Sequence, residues 1–393
     1  MINFIFHSPT KIIFGKDTEM QTGEEIISFG GSNVLVVYGG ESAKKSGLLD
    51  RITDSLSQSK LSYHMWGGVK PNPLFSSIQE GIDFAKEKKV DFVLAVGGGS
   101  VMDTAKAISV GVLDQGDLWE IFMRERQPIA SLPVGAVVTL ASSGSEMSSS
   151  CVVTRDEDLV KRGFFSSHNR MQFAITNPEL MYSLPPYQTA CGIVDTMMHT
   201  LDRYFSPAEH ADLTDSIAES LLRAVIKNGT ICMINPKDYN ARAEVMWAAT
   251  ISHNDITGVG RVADFGPHQF EHELSGYYDV AHGAGLAAIW GAWARYVCNE
   301  DIMRFARYGV NVWGLEMDYI NPVNTAYKAI DVTEEYFSSI GMPITMHELL
   351  GFEVPDAVIE EMAQKCTNGN TRTIGSFKIL NKEDIIKVYQ MAK

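Results

Sequence analysis

The chain has 393 residues, enough to bury two or three cores, and its 45% hydrophobic and 21% charged residues are the balance of a soluble globular protein. A formal net charge of −15, with no compensating run of Lys and Arg, argues against binding nucleic acid or an anionic membrane surface. The start carries no basic-then-apolar leader, no stretch reaches about 18 uninterrupted apolar residues, and the five cysteines show no C-x-x-C spacing, so a cytoplasmic chain with reduced thiols is expected.

Residues 3–14 read as two short strands around Ser8-Pro9, closed by Gly15. Asn33–Tyr38 is a continuous Val-rich run, the pattern of a strand buried on both faces, and Gly39-Gly40 turns it into a helix over about 42–57. There follow a strand at 61–66, a loop at Pro71-Asn72-Pro73, a helix over 74–88, a strand at 91–96, the turn Gly97–Ser100 and a helix over 101–110. This alternation predicts βαβ units and a parallel, doubly wound sheet, a Rossmann-like α/β fold. Shorter strands continue from 129 to 175 around the small-residue stretch Ala141–Ser150. After Pro185-Pro186 period-3.6 patterns take over, at 187–205, 211–228, 239–254, 283–298, 302–312, 323–339, 355–365 and 383–391. The expected organisation is an α/β domain over 1–183 and an all-helical domain over 184–393.

Two groups of residues carry chemistry. Asp195 and His199 lie four apart and so project from one helical face; His268, His272 and His282 follow in a segment poor in basic residues. Three imidazoles and one carboxylate make a mixed N/O set suited to a divalent transition metal. Upstream, Gly97-Gly98-Gly99-Ser100 lies between a strand and a helix, where the backbone can approach a pyrophosphate and the helix start offers N–H groups. Asp103 and Lys106 follow in that helix. The spacing is not G-x-G-x-x-G, so the usual Rossmann fingerprint does not apply. Thr139 and Ser142, in a second small-residue loop, offer hydroxyls to a nicotinamide amide or a phosphate, and Lys161 is a candidate ribose or phosphate ligand. A metal together with a nucleotide suggests redox chemistry.

Gly-Gly-Gly-Ser-x-x-Asp-x-x-Lys (97–106), Thr-x-x-x-x-Gly-Ser-Glu (139–146), Asp195-x-x-x-His199, His268-x-x-x-His272 and His282-Gly283 occur in that order. Together they resemble the iron-containing alcohol dehydrogenases, and more closely their butanol dehydrogenase and NADPH-dependent aldehyde reductase branch. Tyr38-Gly39-Gly40-x-Ser42-x-Lys44-Lys45-x-Gly47, Pro71-Asn72-Pro73 and Ile374-Gly375-Ser376-Phe377 look like that branch too, and the likeness runs from Phe4 to about residue 390. It implies a dinucleotide-binding N-terminal domain, a helical metal-binding domain and an active cleft between them. The coenzyme contacts implied are Gly39, Gly40, Ser42, Asn72, Gly97, Gly98, Gly99, Ser100, Asp103, Thr139, Ser142 and Lys161. On the family pattern Asp195, His199, His268 and His282 are the metal ligands. His272 is a family histidine near the substrate and the candidate proton handler, with support of a ligand as its plainer role. The chain departs from the pattern at Ala141-Ser142-Ser143 (usually Pro-Ala-Thr), at Asn177-Pro178 (usually Asp-Pro) and at Glu41 (usually a third glycine), none of which touches the metal set.

The activity implied is reversible hydride transfer between NAD(P)H and a small aliphatic aldehyde or primary alcohol, with Fe2+ or Zn2+ as Lewis acid. The end of the 33–38 strand presents Gly39, Gly40, Ser42, Lys44 and Lys45 in place of an acid that would repel a 2′-phosphate, which favours NADP(H) over NAD(H); Glu41 points the other way. A glycerol-dehydrogenase-like polyol oxidoreductase and a dehydroquinate-synthase-like lyase are the alternatives, although the lyase would need several Lys and Arg, of which 183–282 holds few. Asp264 reads as structural; His7, His64, His168, His210, His253 and His347 as surface or core residues; Trp247, Phe265, Trp290 and Trp293 as candidates for an apolar substrate pocket. A homodimer is expected, the 4–14 strands being able to extend a neighbour's sheet.

Overall fold

The computed structural model describes all of residues 1–393, in two compact units: His7–Leu184, and Met1–Phe6 with Pro185–Lys393. The first unit holds strands β1 (Lys11–Phe14), β2 (Asn33–Tyr38), β3 (Ser62–Trp66), β4 (Phe92–Gly97), β5 (Val134–Val138), β6 (Ser150–Arg155), β7 (Val160–Phe165) and β8 (Phe173–Thr176). All but β6 and β7 form a parallel six-stranded sheet in the order β1-β8-β5-β4-β2-β3. Helices α1 (Thr22–Ser28), α2 (Ser42–Lys45), α3 (Leu48–Gln58), α4 (Phe75–Lys88), α5 (Gly99–Leu113) and α6 (Leu118–Phe122) connect the strands. Val34–Val37 and all of β4 are buried, which is why these strands read as unbroken apolar runs.

The chain leaves β2 towards β3 and leaves β4 towards β5, in opposite directions along the sheet. Neighbouring β2 and β4 therefore flank a topological switch point, where a doubly wound sheet opens a crevice beyond its carboxyl ends. Tyr38 pairs with Val96 and Gly97 with Val138, so the loops after β2, β4 and β5 emerge side by side.

Three local expectations are corrected. Of residues 3–14 only Lys11–Phe14 forms a strand: Pro9 has no N–H to pair, and Ile2 N donates to Gly260 O while the N-terminal ammonium reaches Glu209 O, so Met1–Phe6 go with the second unit. The helix expected over 42–57 is divided at Gly47, whose φ of +69° lies in the left-handed region that interrupts a right-handed helix. Within 129–175, β6 and β7 form a separate antiparallel hairpin.

The second unit is helical: α7 (Pro186–Tyr204), α8 (Asp212–Ile234), α9 (Tyr239–Ser252), α10 (Gly266–Tyr278), α11 (His282–Val297), α12 (Ile302–Trp313), α13 (Pro322–Ser339), α14 (Met346–Leu350), α15 (Asp356–Cys366) and α16 (Lys382–Met391). Helix α10 has no counterpart among the apolar patterns. It is buried on nearly every side and buries His268, Glu271, Glu273 and Ser275 along with Phe270 and Leu274, so no apolar stripe marks it. No helix is long and apolar enough to cross a membrane.

Candidate metal centre and nucleotide loops

Helix α7 begins with Pro186 at its first turn, where the missing N–H costs nothing, and is buried from Thr189 to Tyr204 apart from Cys191. It places Asp195 and His199 one turn apart, with the His199 Nε2 3.3 Å from Asp195 Oδ1. His268, in the first turn of α10, brings its Nε2 to 3.9 Å from the same oxygen, and His282, the first residue of α11, to 3.6 Å. Three ring nitrogens thus converge on one carboxylate oxygen. Donor atoms of Asp195, His268 and His282 lie within 4.8 Å of one another, close enough to share one cation; His199 stands beside them through Asp195. The close approach depends on Gly283: a Cβ there would lie 2.1 Å from the Cys191 carbonyl oxygen, so α11 could not otherwise seat on α7.

The chemistry of this set fits a metal. Burial, with the neighbouring His253 and His268, holds the His199 imidazole well below its usual pKa, so it is neutral at pH 7 with a lone pair to offer. Buried His268 Nε2 has no hydrogen-bond partner, whereas its Nδ1 bonds Asp202. His282 repeats the arrangement, its Nδ1 bonding Glu271, which in turn accepts from Ser275 Oγ. A carboxylate behind each ring fixes the tautomer and turns the far nitrogen towards Asp195, the pattern that orients ligating histidines. The His282 side chain is 25% exposed, against 6–7% for the other three, so the set is open on that side.

His272, one turn beyond His268, is partly exposed, its ring centroid 6.0 Å from that of His282 and 6.4 Å from that of His268. Asp264 accepts from the N–H groups of Gly266, Ser376 and Phe377 at 2.7–2.8 Å, a structural anchor. Of the four aromatics considered for a pocket, Trp290 and Trp293 are core and Trp247 lies on the surface. Phe265 alone faces the histidines, edge-on to His199 and His268. Its φ of +55° is costly for a bulky residue, and the Arg203 guanidinium lies over its ring.

Sequence reasoning missed Asp202, Glu271 and His253. Asp195, His199 and Asp202 follow an i, i+4, i+7 stripe, and Glu271 sits between His268 and His272, so a search for carboxylates beside the histidines would have found the first two. His253, expected as a surface or core residue, is buried, and its ring stacks on His199 at 4.0 Å; no local signal announces this contact, because it comes from the end of another helix.

In the α/β unit Gly97, Gly98 and Gly99 serve close approach rather than unusual backbone angles. A Cβ on Gly97 would meet Val101 at 2.5 Å, one on Gly98 Leu140 at 3.2 Å and one on Gly99 the Ser143 Oγ at 3.0 Å, so the Thr139–Ser143 loop lies directly on the turn. Gly98 caps α5 without a side chain, so the first N–H groups of the helix, at Gly99 and Ser100, receive no side-chain cap from it. Thr139 N donates to Gly97 O, and partly exposed Ser142 follows. Gly39 and Gly40 lie at the carboxyl end of neighbouring β2, before Ser42 in α2, and Gly39 packs against Val101. Lys161 is buried, not solvated: its Nζ donates to Asn72 Oδ1 at 3.0 Å, and its charge acts on Asp103. Asp103 accepts from Ser145 Oγ and Val152 N. The ends of β2, β4 and β5, which lead into Gly39-Gly40, Gly97–Gly99 and the Thr139–Ser143 loop, are thus neighbours in the sheet.

The profile of the iron-containing alcohol dehydrogenases matches residues 9–178, and that of the family's C-terminal region matches 189–393. The chain is 38% identical to NADH-dependent butanol dehydrogenase A of Clostridium acetobutylicum, over 99% of each. It is 34% identical to the NADPH-dependent aldehyde reductase YqhD of Escherichia coli, over 90% of this chain and 92% of that one. The crystal structure of NADH-dependent butanol dehydrogenase A from Thermotoga maritima superposes with a TM-score of 0.95 at 35% identity, covering 100% of this chain and 99% of the other. The parallel-sheet unit, the helical unit and the order of the motifs along them agree with these matches over the whole length, and the chain belongs to the iron-containing alcohol dehydrogenase family.

Proposed function

We propose that the protein is a metal-dependent alcohol dehydrogenase and aldehyde reductase that moves hydride reversibly between NAD(P)H and a small aliphatic aldehyde or primary alcohol. The observation that carries this reading is the convergence of the His199, His268 and His282 ring nitrogens on Asp195 Oδ1, with Asp202 and Glu271 behind two of the rings. Asp195, His199, His268 and His282 would hold Fe2+ or Zn2+. When bound, the cation supplies Lewis acidity and the reduced nicotinamide supplies the hydride. In this reading Asp202 and Glu271 keep the rings aimed, Phe265 packs edge-on to His199, and partly exposed His272 would hold or pass the hydroxyl proton.

Gly39, Gly40, Ser42, Asn72, Gly97–Ser100, Asp103, Thr139, Ser142 and Lys161 form the coenzyme site in this reading. NADP(H) is preferred over NAD(H), because Lys44 pairs with Glu41 at 3.2 Å and so offsets the carboxylate that follows the carboxyl end of β2. The names of the relatives divide on this point, one NADH-dependent and another NADPH-dependent. A cytoplasmic location belongs to the same reading, its five cysteines being widely spaced along the chain with no C-x-x-C pair. We also propose a homodimer, since β1 is an edge strand able to extend a neighbour's sheet; light scattering on the purified protein decides between dimer and monomer.

The central test is metal analysis of anaerobically purified protein, paired with a scan of C2–C6 aldehydes against NADPH and NADH at 340 nm. One bound iron or zinc per chain and oxidation of the reduced coenzyme are expected. No metal uptake after reconstitution, or full turnover in a His268→Ala, His282→Ala double variant, overturns the reading.

A further inference from the structure

We infer that Lys106 is a positioning residue for the coenzyme: its buried ammonium pins one end of the 139–144 loop against the glycine turn. The inference rests on the proposed coenzyme site, to which it adds a residue that touches no ligand. Lys106 lies two turns into α5 and is fully buried. Its Nζ donates to Ser145 O at 2.7 Å, Ser145 Oγ at 2.8 Å and Ser150 O at 2.9 Å, with Ser148 O at 3.3 Å. The Asp103 carboxylate is no nearer than 4.0 Å. An ammonium has three N–H groups to give, and here all are spent on one short segment of chain. The charge is solvated chiefly by backbone carbonyls, an expensive way to fill space, since burial alone disfavours a charged lysine.

The segment it holds continues the loop that lies on Gly98 and Gly99. That loop is tied at its start by the Thr139 N to Gly97 O bond and beyond its end by Lys106, with Ser142 and Ser143 between. Ser145 Oγ accepts from Lys106 and donates to Asp103, so the clamp also sets the Asp103 carboxylate. With the far end released, the loop would sample positions off the turn, and the coenzyme would have to order it on binding.

The experiment titrates the metal-loaded wild-type, Lys106→Met and Lys106→Ala proteins with NADPH and NADH, following nicotinamide fluorescence. Methionine fills nearly the same space but donates nothing. K106M is expected to bind both coenzymes about tenfold more weakly, with its metal content unchanged and its loss of activity falling on the coenzyme KM rather than on kcat. In K106A, ethylammonium should recover binding, while bulkier tetramethylammonium, which has no N–H, should not. Binding by K106M within about twofold of wild type, or a K106A defect that ethylammonium leaves untouched, overturns the inference. If neither Lys106 variant folds, Ser145→Ala takes their place, with weaker coenzyme binding expected and unchanged binding overturning it. A wild-type protein that binds neither coenzyme refutes the underlying site, and Lys106's role with it.

Discussion

The Nδ1 atoms of His268 and His282 are each claimed by a carboxylate, so the aim of both rings depends on residues that need never touch a metal. Glu271→Gln keeps the shape but weakens the acceptor, and should lower metal affinity by roughly 10–100-fold with little change in fold; competition with a chromogenic chelator measures this. Gly283→Ala is a harsher change than its size suggests, because the new methyl would meet the backbone of α7 rather than a movable side chain. It should destabilise the protein by about 1–3 kcal/mol or more by forcing α11 off α7, seen as an earlier urea midpoint together with metal loss. At the end of β2, a Cβ on Gly39 meets nothing nearer than 3.7 Å, so a side chain can start there without a clash, and Gly39→Asp is the test. The added carboxylate should repel a 2′-phosphate and move preference towards NADH, read as the ratio of kcat/KM for the two coenzymes. An unchanged ratio would remove the argument for NADP(H).

Among the elements, α10 is the one on which the candidate metal centre most depends, since it carries His268, Glu271 and His272. Its start is held by Asp264, whose carboxylate ties Gly266 to Ser376 and Phe377. Asp264→Ala would strand three backbone N–H groups, at a cost of about 1–3 kcal/mol for each that stays buried. It should lower both the melting temperature and the metal content; a variant that melts normally yet loses metal would point instead to a direct role for Asp264. Strands β2 and β4 are legible in the sequence because strands buried on both faces need apolar side chains throughout, whereas β5 is legible only as part of the strand-like stretch 129–175. Helices α7–α9, α11–α13, α15 and α16 were equally plain, each with an apolar pattern at helical spacing. Helix α10 was not, because a helix that buries carboxylates and imidazoles for chemistry loses the stripe by which helices are recognised.

At the scale of the whole molecule, a cation bound only by the folded chain stabilises it by mass action. At free metal about a hundred times its dissociation constant the gain is about 2.7 kcal/mol, or roughly 5–11 °C in Tm for a unit of this size. Dialysis against a chelator should therefore lower the melting temperature by that order, and iron or zinc should restore it; identical melting with and without metal would argue against the site. The net charge of −15 sets the opposite expectation for polyanions, which should neither bind nor stabilise.

By itself the sequence determined the parallel α/β sheet, the helical second half and the order of the motifs, because apolar periodicity and residue chemistry are local properties; singling out Asp195, His199, His268 and His282 as one donor set rests on the family resemblance. Only the tertiary structure decided that Asp202 and Glu271 stand behind two of the histidines, that His253 stacks on His199, that Lys161 meets Asn72, and that Lys106 is spent on backbone carbonyls instead of a ligand. The physical reason is common to all four. A pattern along the chain can say that a polar group will be buried, but its partner lies on another element, and long-range packing alone brings the two together.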